Sequence, residues 1–402
     1  MTKLLFIVWD GPQVSYLDGL FFPIFKKIQE YKNIEFHIIQ FSWGEQAKKT
    51  KLQLLAKDYG FHYTYQQVNR KPNPLPGALI SVFLGAQFIK KYIKKNKIQI
   101  VMPRSTMPAI MINIANKGIN ANVIFDADGL PLEERVDFSG LKRSSFNYKI
   151  LKFQETKILK RANAVVTRST KSINIHLDTI GKHFHHKFFV VSNGRDPDFF
   201  TPSEEKRFLY RDQLGIKRDD LVFVYCGSLG PQYGLVEMLE IFSRYHSIEP
   251  RSKFLIITGS PSYLSGMIPL EIESQVLVKS LPFEKVPSYL NVADIAFAIR
   301  KPSYSMQGIA PIKLGEYMLL GLPCIASKGI GDTEPIIKNA PGSFLFDHDR
   351  DDNVEKVLQW ILEGKYKSVE IRNFAITHFS LNTSAFDYLK AIDYVLNTKL
   401  KY

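Results

Sequence analysis

"APIKLGEYMLLGLPCIASKGIGD", residues 310–332, joins three kinds of segment in one run. A proline and two charged residues open an apolar helical stretch. That stretch ends in Gly321-Leu322-Pro323 and passes directly into a short buried strand. A helix that feeds a strand through so short a turn is one step of an α/β fold. Lys313 and Glu316 stand three apart, one turn of helix, so their side chains share a face. A helix N-terminus attracts anions. A lysine there suits phosphate, and a carboxylate beside it suits a sugar hydroxyl, a pairing that points to a nucleotide-sugar site. The plain alternative is an i,i+3 surface ion pair, worth a few tenths of a kcal/mol. On either reading Met318, Leu319 and Leu320 are core.

The same alternation extends in both directions. Strand-like runs occur at 4–9, 35–41, 61–66, 98–103, 122–127, 164–169 and 188–193, with amphipathic stretches between most of them. A second series follows at 221–227, 253–259, 274–280, 295–300, 323–327 and 342–347. Short β-rich runs separated by helical periods predict parallel sheets with helices on both faces. Between the two series, "NGRDPDFFTPSEEKR" is polar and turn-rich, the composition of a linker. A chain of 402 residues also exceeds one typical core. We therefore expect two Rossmann-like domains facing each other across a cleft, over 1–195 and 196–378. The remainder, 379–402, is expected to be a helix that crosses back to the first domain.

The net charge of +14 is unevenly spread: residues 1–200 hold 30 Lys and Arg against 15 Asp and Glu, and the second half is nearly neutral. Such asymmetry suggests an acidic partner for the first half: nucleic acid, an anionic membrane surface or a phosphate-bearing substrate. Nucleic acid is disfavoured, because no recognised binding motif accompanies the basic residues. Cys226 and Cys324 lie in apolar runs and read as reduced thiols, which favours a cytoplasmic location. The N-terminal apolar run is too short for a signal peptide, and no window approaches the roughly 20 apolar residues of a membrane span.

In open α/β sheets ligands bind beyond the carboxyl ends of the strands. Polar residues at those ends are the functional candidates. In the first half they are Asp10-Gly11, Arg104, Asp126, Asp128 and Arg168; in the second, Gly227-Ser228, Arg300-Lys301 and the opening stretch.

Residues ~190–340 resemble the retaining GT-B glycosyltransferases of family 4 (glycosyl transferases group 1), particularly capsule and O-antigen enzymes. "NGRDPDFFTP" resembles their interdomain linker, and "YCGSLGPQYGLVEMLEIF" their first C-domain strand, Gly-Ser loop and helix. "VPSYLNVADIAFA" resembles the helix and strand before the site, and "PIKLGEYMLLGLP" the donor motif Pro-x-Lys-x-x-Glu-Tyr…Gly-x-Pro. In the N-terminal half "FDADGLPLEERVD" is similar to a loop of the same group.

The resemblance implies an N-terminal acceptor-binding domain and a C-terminal nucleotide-sugar-binding domain. It implies that Glu316 binds the donor ribose and Lys313 the diphosphate. Gly308, Ile309 and Ala310 would offer backbone N–H groups, with Gly227 and Ser228 opposite. Asp126 joins Lys313 and Glu316 as a catalytic candidate. Asp10, Gly11, Arg104, Asp128, Glu134, Arg135 and Arg168 are expected on the acceptor side. The chain departs from the pattern at Gly308, where many relatives have glutamate, and at Ile309, Ala310 and Asp128. Gln232 and Tyr233 occupy the region of a common Arg and Lys. Arg300, Lys301 and Arg168 are the nearest cationic substitutes.

Asp126-x-Asp128 also fits a metal pair, but it belongs to a different, single-domain fold. No metal or other cofactor is expected, only the nucleotide-sugar co-substrate. Glu133, Glu134 and Arg135 are candidates for acceptor contact or for bracing a loop. His183, His185 and His186 have no partnering cysteine and read as surface residues. On the helix over 79–97, Lys90, Lys91, Lys94, Lys95 and Lys97 are either a solvated face or a contact with anionic lipid. The expected activity is transfer of a sugar, with retention, from a nucleotide sugar to a carbohydrate or polyprenyl-linked acceptor, in surface polysaccharide biosynthesis. The enzyme would work in the cytoplasm or peripherally at the inner face of the membrane. A nucleotide-sugar epimerase and a non-catalytic GT-B scaffold are the rival readings.

Overall fold

The computed structural model describes residues 1–11, 16–43, 46–71, 74–115 and 118–398, except for the side chains of 47, 74 and 75. Two compact units result: Met1–Ser192 with the chain from Ser384 onward, and Asn193–Thr383. The first is built on β1 (Thr2–Asp10), β2 (Ile34–Ser42), β3 (His62–Gln67), β4 (Ile100–Pro103), β5 (Asn122–Asp128), β6 (Ala164–Thr167) and β7 (Phe188–Val190). They form one parallel sheet in the order β3-β2-β1-β4-β5-β6-β7. β1 is buried along Leu4–Val8, with helices over both faces, which is why its run reads as continuously apolar.

The second unit holds β8 (Val222–Cys226), β9 (Lys253–Ile257), β10 (Val276–Lys279), β11 (Ile295–Ala298), β12 (Cys324–Ser327) and β13 (Ser343–Phe346). These too are all parallel, in the order β10-β9-β8-β11-β12-β13. Two apolar clusters cover its faces. One centres on Val224, Leu255 and Met318, the other on Phe223, Phe254 and Phe297. In each unit the strand order reverses beside the first strand, at β1/β4 and at β8/β11. Those switch points open crevices at the strands' carboxyl ends.

The boundary falls three residues earlier than 195/196, because the linker's polar groups bond within the second unit. Asn193 Nδ2 donates to the Ala310 carbonyl at 3.0 Å, and Arg195 N–H to the Phe379 carbonyl at 2.8 Å. The last helix, Leu381–Asn397, begins in the second unit and continues in the first. Its Tyr388 is buried in the first unit's core, and Ser384 Oγ donates to the Ser192 carbonyl at 2.6 Å. Among the described residues no helix is long and apolar enough to cross a membrane.

Candidate active site

In the second unit the helix Ile312–Leu319 starts after Pro311, at the carboxyl end of the sheet. Gly315 lies where the helix meets Ser368–Phe379; a Cβ there would stand 2.9 Å from Phe379 Cβ, so glycine permits the approach. Lys313 and Glu316 are both buried. Lys313 Nζ donates to Tyr225 Oη at 2.7 Å and stands 4.0 Å from the Tyr225 ring centre and 4.8 Å from that of Tyr233. Tyr225 Oη in turn donates to the Ser228 carbonyl at 2.5 Å. Burial, reinforced by the Arg300 charge, pulls the Lys313 amine well below the usual lysine range. The aromatic faces and phenol oxygen accommodate the ammonium, but they bring no countercharge.

Glu316 is not paired with Lys313. Its Oε1 accepts from Arg195 Nε at 2.8 Å, and the Arg195 guanidinium lies 5.6 Å from the Phe283 ring centre. The spacing of three therefore positions two neighbouring but separately held groups. The i,i+3 ion pair is replaced by a buried Glu316–Arg195 contact and a lysine in an aromatic cage.

Gly227 follows β8 with φ +148°, and a Cβ built on it would lie 2.8 Å from Lys313 Nζ. Gly227→Ala thus combines backbone strain, of order 1–3 kcal/mol, with displacement of the lysine. Nucleoside diphosphate affinity, read by calorimetry, is expected to fall at least about tenfold. Gly259→Ala, with no atom within 4 Å of its Cβ, is expected to leave it unchanged. Equal affinities in the two variants would remove Gly227 from the site.

Arg300 follows β11 at the same switch point. Its guanidinium stacks 4.7 Å from the Tyr233 ring centre, and its buried Nε has no hydrogen-bond partner among the described residues. Lys301 instead turns outward, with Nζ 3.9 Å from Glu237 Oε1. Ser228 is exposed at the mouth. Gly308 ends a short 3-10 segment, and the Ile309 N–H donates to the Met306 carbonyl at 3.2 Å. That donor is therefore already used, contrary to its expected offer to a phosphate. The Ala310 carbonyl is held by Asn193. Burial, with Glu316 nearby, pushes the Cys226 thiol up to about 12, and both cysteines are free.

In the first unit Asp126 has no exposed surface. Arg168 Nη2 reaches its Oδ1 and Oδ2 at 3.0 and 2.9 Å, Tyr388 Oη donates to Oδ2 at 3.1 Å, and the Asp128 N–H donates to Oδ1 at 2.9 Å. A carboxylate so enclosed braces the loop after β5, and all of its hydrogen bonds are to Arg168, Tyr388 and the Asp128 backbone among the described residues. Asp128, at φ +65°, accepts from Arg104 Nη2 at 2.6 Å. Burial alone would lower the Arg104 and Arg168 pKa values, but the flanking carboxylates outweigh it and keep both charged. Asp10 is buried near Arg104 with Oδ2 unpartnered among the described residues, and burial raises its carboxyl above the usual range. Gly11 follows it, against the Trp43 ring. Asp10, Arg104, Asp128 and Arg168 thus meet at one switch-point crevice. Glu134 and Arg135 lie on the helix Pro131–Phe138, and Arg135 is exposed. Buried Glu133 is bound by Arg143, Tyr148 and Lys152, so it braces.

Two participants do not stand out in the sequence: Arg195 lies inside the linker motif, a usable signal, whereas Tyr225 reads as one more strand residue. His183, His185 and His186 are exposed, as expected of surface residues. A different group, Glu35, His37 and His62, gathers on β2 and β3, but Glu35 Oε1 already lies 3.2 Å from Lys3 Nζ and 2.8 Å from His37 Nε2.

This architecture is the GT-B fold. Over 98% of this chain and 100% of the other, it superimposes on Anabaena HepE solved with UDP and glucose, with TM-score 0.73 and 14% identity. A glycosyltransferase from Rickettsia africae matches over 99% of both chains, with TM-score 0.71 and 18% identity. The family model of Glycosyl transferases group 1 matches residues 206–377, which hold Lys313, Glu316 and the Gly227 loop. A curated relative from Escherichia coli is UDP-Gal:alpha-D-GlcNAc-diphosphoundecaprenol alpha-1,3-galactosyltransferase. It is 26% identical over 195 residues, 46% of this chain, and the match spans about half (48%) of its length.

Proposed function

We propose that this chain transfers a hexosyl group from a nucleoside-diphosphate sugar to a glycan or polyprenyl-diphosphate-linked acceptor, with retention of configuration and without a metal. The carrying observation is the helix start at residue 312. A buried lysine in an aromatic cage and a buried carboxylate stand there side by side, within the segment that matches the glycosyltransferase model. Lys313 and the spare Nε of Arg300 receive the diphosphate, and Glu316, oriented by Arg195, receives the ribose hydroxyls.

In this reading the bond from the anomeric carbon to the β-phosphate oxygen breaks, and the acceptor oxygen bonds to that carbon from the same face. The acceptor's proton passes to the departing phosphate oxygen, so no separate base is needed. Lys313 and Arg300 stabilise the charge that develops there. Asp126 and Asp128 already face Arg168 and Arg104, cations where a divalent ion would stand, which supports a reaction without metal. The E. coli relative makes UDP-galactose the first donor to try and a diphosphate-linked GlcNAc the first acceptor. The proposed setting is surface polysaccharide assembly at the cytoplasmic face of the membrane.

The test is incubation of the full chain with UDP-sugars, with and without that acceptor, in EDTA, followed by NMR of the new linkage. A product with the donor's anomeric configuration is expected. An inverted product overturns retention, and dependence on Mn²⁺ or Mg²⁺ overturns the metal-free reading. A new nucleotide sugar formed without acceptor favours an epimerase. Nucleotide binding with no turnover on any pair favours a scaffold.

A further inference from the structure

Three helices lie side by side on one face of the first unit's sheet: Pro74–Asn96, Thr106–Ala115 and Phe146–Arg161. The outer surface of the first carries Leu79 (63% exposed), Ile80, Phe83 (57%) and Leu84 (60%). The outer surface of the third carries Phe146 (75%), Ile150 and Phe153 (64%). Both sets repeat at helical spacing, so each forms one stripe. Met107 and Ile110 of the middle helix are half-buried between them. Each helix of a parallel β-α-β unit runs opposite to its strands. The N-terminal half of each therefore lies toward the strands' carboxyl edge, and both stripes occupy that half. Large exposed aromatic and aliphatic side chains grouped in this way mark an interaction surface.

Charge identifies the occupant. The helix Pro74–Asn96 contains no Asp or Glu, and its outward face continues from Leu84 into exposed Lys90, Lys91, Lys94 and Lys95. On Phe146–Arg161 the only acidic residue is Glu155, which is buried and bound by Lys152 at 2.7 Å, while Lys149, Lys157 and Lys160 are exposed. An apolar stripe continued by lysines fits an anionic lipid surface: side chains enter the acyl boundary while ammonium groups meet headgroups. A second copy of the chain would set lysine against lysine across a two-fold contact.

We infer that this helical face is a docking surface for an anionic lipid bilayer, with Leu79, Ile80, Phe83, Leu84, Phe146 and Phe153 entering it and the lysines at its rim. The surface stands on these residues alone; only its service to a lipid-borne acceptor rests on the function proposed above.

Co-flotation of the full chain with vesicles tests it, using phosphatidylcholine alone or mixed with phosphatidylglycerol. Binding to the mixed vesicles is expected to fall at least about tenfold in the triple variant Phe83→Ser, Phe146→Ser, Phe153→Ser. Changing Lys90, Lys91, Lys94 and Lys95 to Gln is expected to remove the salt-sensitive part. The serine positions are exposed, so circular dichroism and UDP affinity are expected to remain at their wild-type values. Wild-type protein that ignores phosphatidylglycerol vesicles at low salt overturns the inference. So does vesicle binding unchanged in the triple variant, or a concentration-dependent dimer that the same variant abolishes. Loss of vesicle binding with full turnover of a water-soluble acceptor separates this surface from the catalytic reading.

Discussion

Lys313→Ala is expected to lower the rate of sugar transfer by about 10²–10³-fold, the usual effect of removing one group that stabilises a departing charge. The same change is expected to weaken nucleoside diphosphate strongly and nucleoside hardly at all, because only the former carries the charge that the lysine meets. Glu316→Ala is expected to weaken both, since the ribose is common to them. Tyr225→Phe keeps the ring 4.0 Å from Nζ and deletes only the accepting oxygen, so its loss is expected to be smaller than that of the alanine variant.

A proton measurement sharpens the test. Burial and Arg300 hold the free Lys313 amine below the usual range, and an arriving diphosphate raises it again. The complex then holds more protons than the free protein. Nucleotide binding at pH values between the free and the nucleotide-bound pKa of this amine is expected to take up protons, and affinity to fall as pH rises through that window. Calorimetry in two buffers of different ionisation enthalpy reads this directly. Uptake that persists in Lys313→Ala assigns the proton to another group, and equal small losses from Lys313→Ala and Glu316→Ala set aside both assignments.

Asp126→Ala is expected to cost about 3–5 kcal/mol of stability, the penalty for stranding a buried charge, here that of Arg168. Tyr388 loses its acceptor in the same step, which loosens the last helix from the first unit. At about 2–4 °C per kcal/mol, the first unit's thermal transition drops by roughly 6–20 °C. Replacing both partners with apolar residues, Asp126→Leu with Arg168→Met, removes the charge instead of stranding it and is expected to destabilise less. Scanning calorimetry of the full chain decides the matter. A variant that loses turnover with its melting temperature unchanged would return Asp126 to the reacting groups.

Sequence by itself determined the architecture. Each of the thirteen runs read as strand-like is a strand; central ones such as β1 and β8 are covered on both faces and need continuous apolar side chains, a local property of composition, whereas the edge strand β3 is partly exposed and more polar. The donor stretch was legible for a similar reason: a proline before a helix and a spacing of three set the position and facing of Lys313 and Glu316 within a single element. What those two side chains touch was decided only in three dimensions. Tyr225 lies 88 positions and Arg195 121 positions away along the chain, and no period or spacing links them to the helix they complete. Asp126 shows the same limit, since a polar residue at a strand end looks alike whether it meets a ligand or a buried arginine. Its partners arrive from Arg168 and from Tyr388, 262 positions later, and burial of that network, absent from the linear pattern, makes it a brace. The apolar stripes on the outer helices were equally hidden. Helical period reports that a side chain has a face, and only packing on the sheet shows that Phe83 and Phe153 are left outside it.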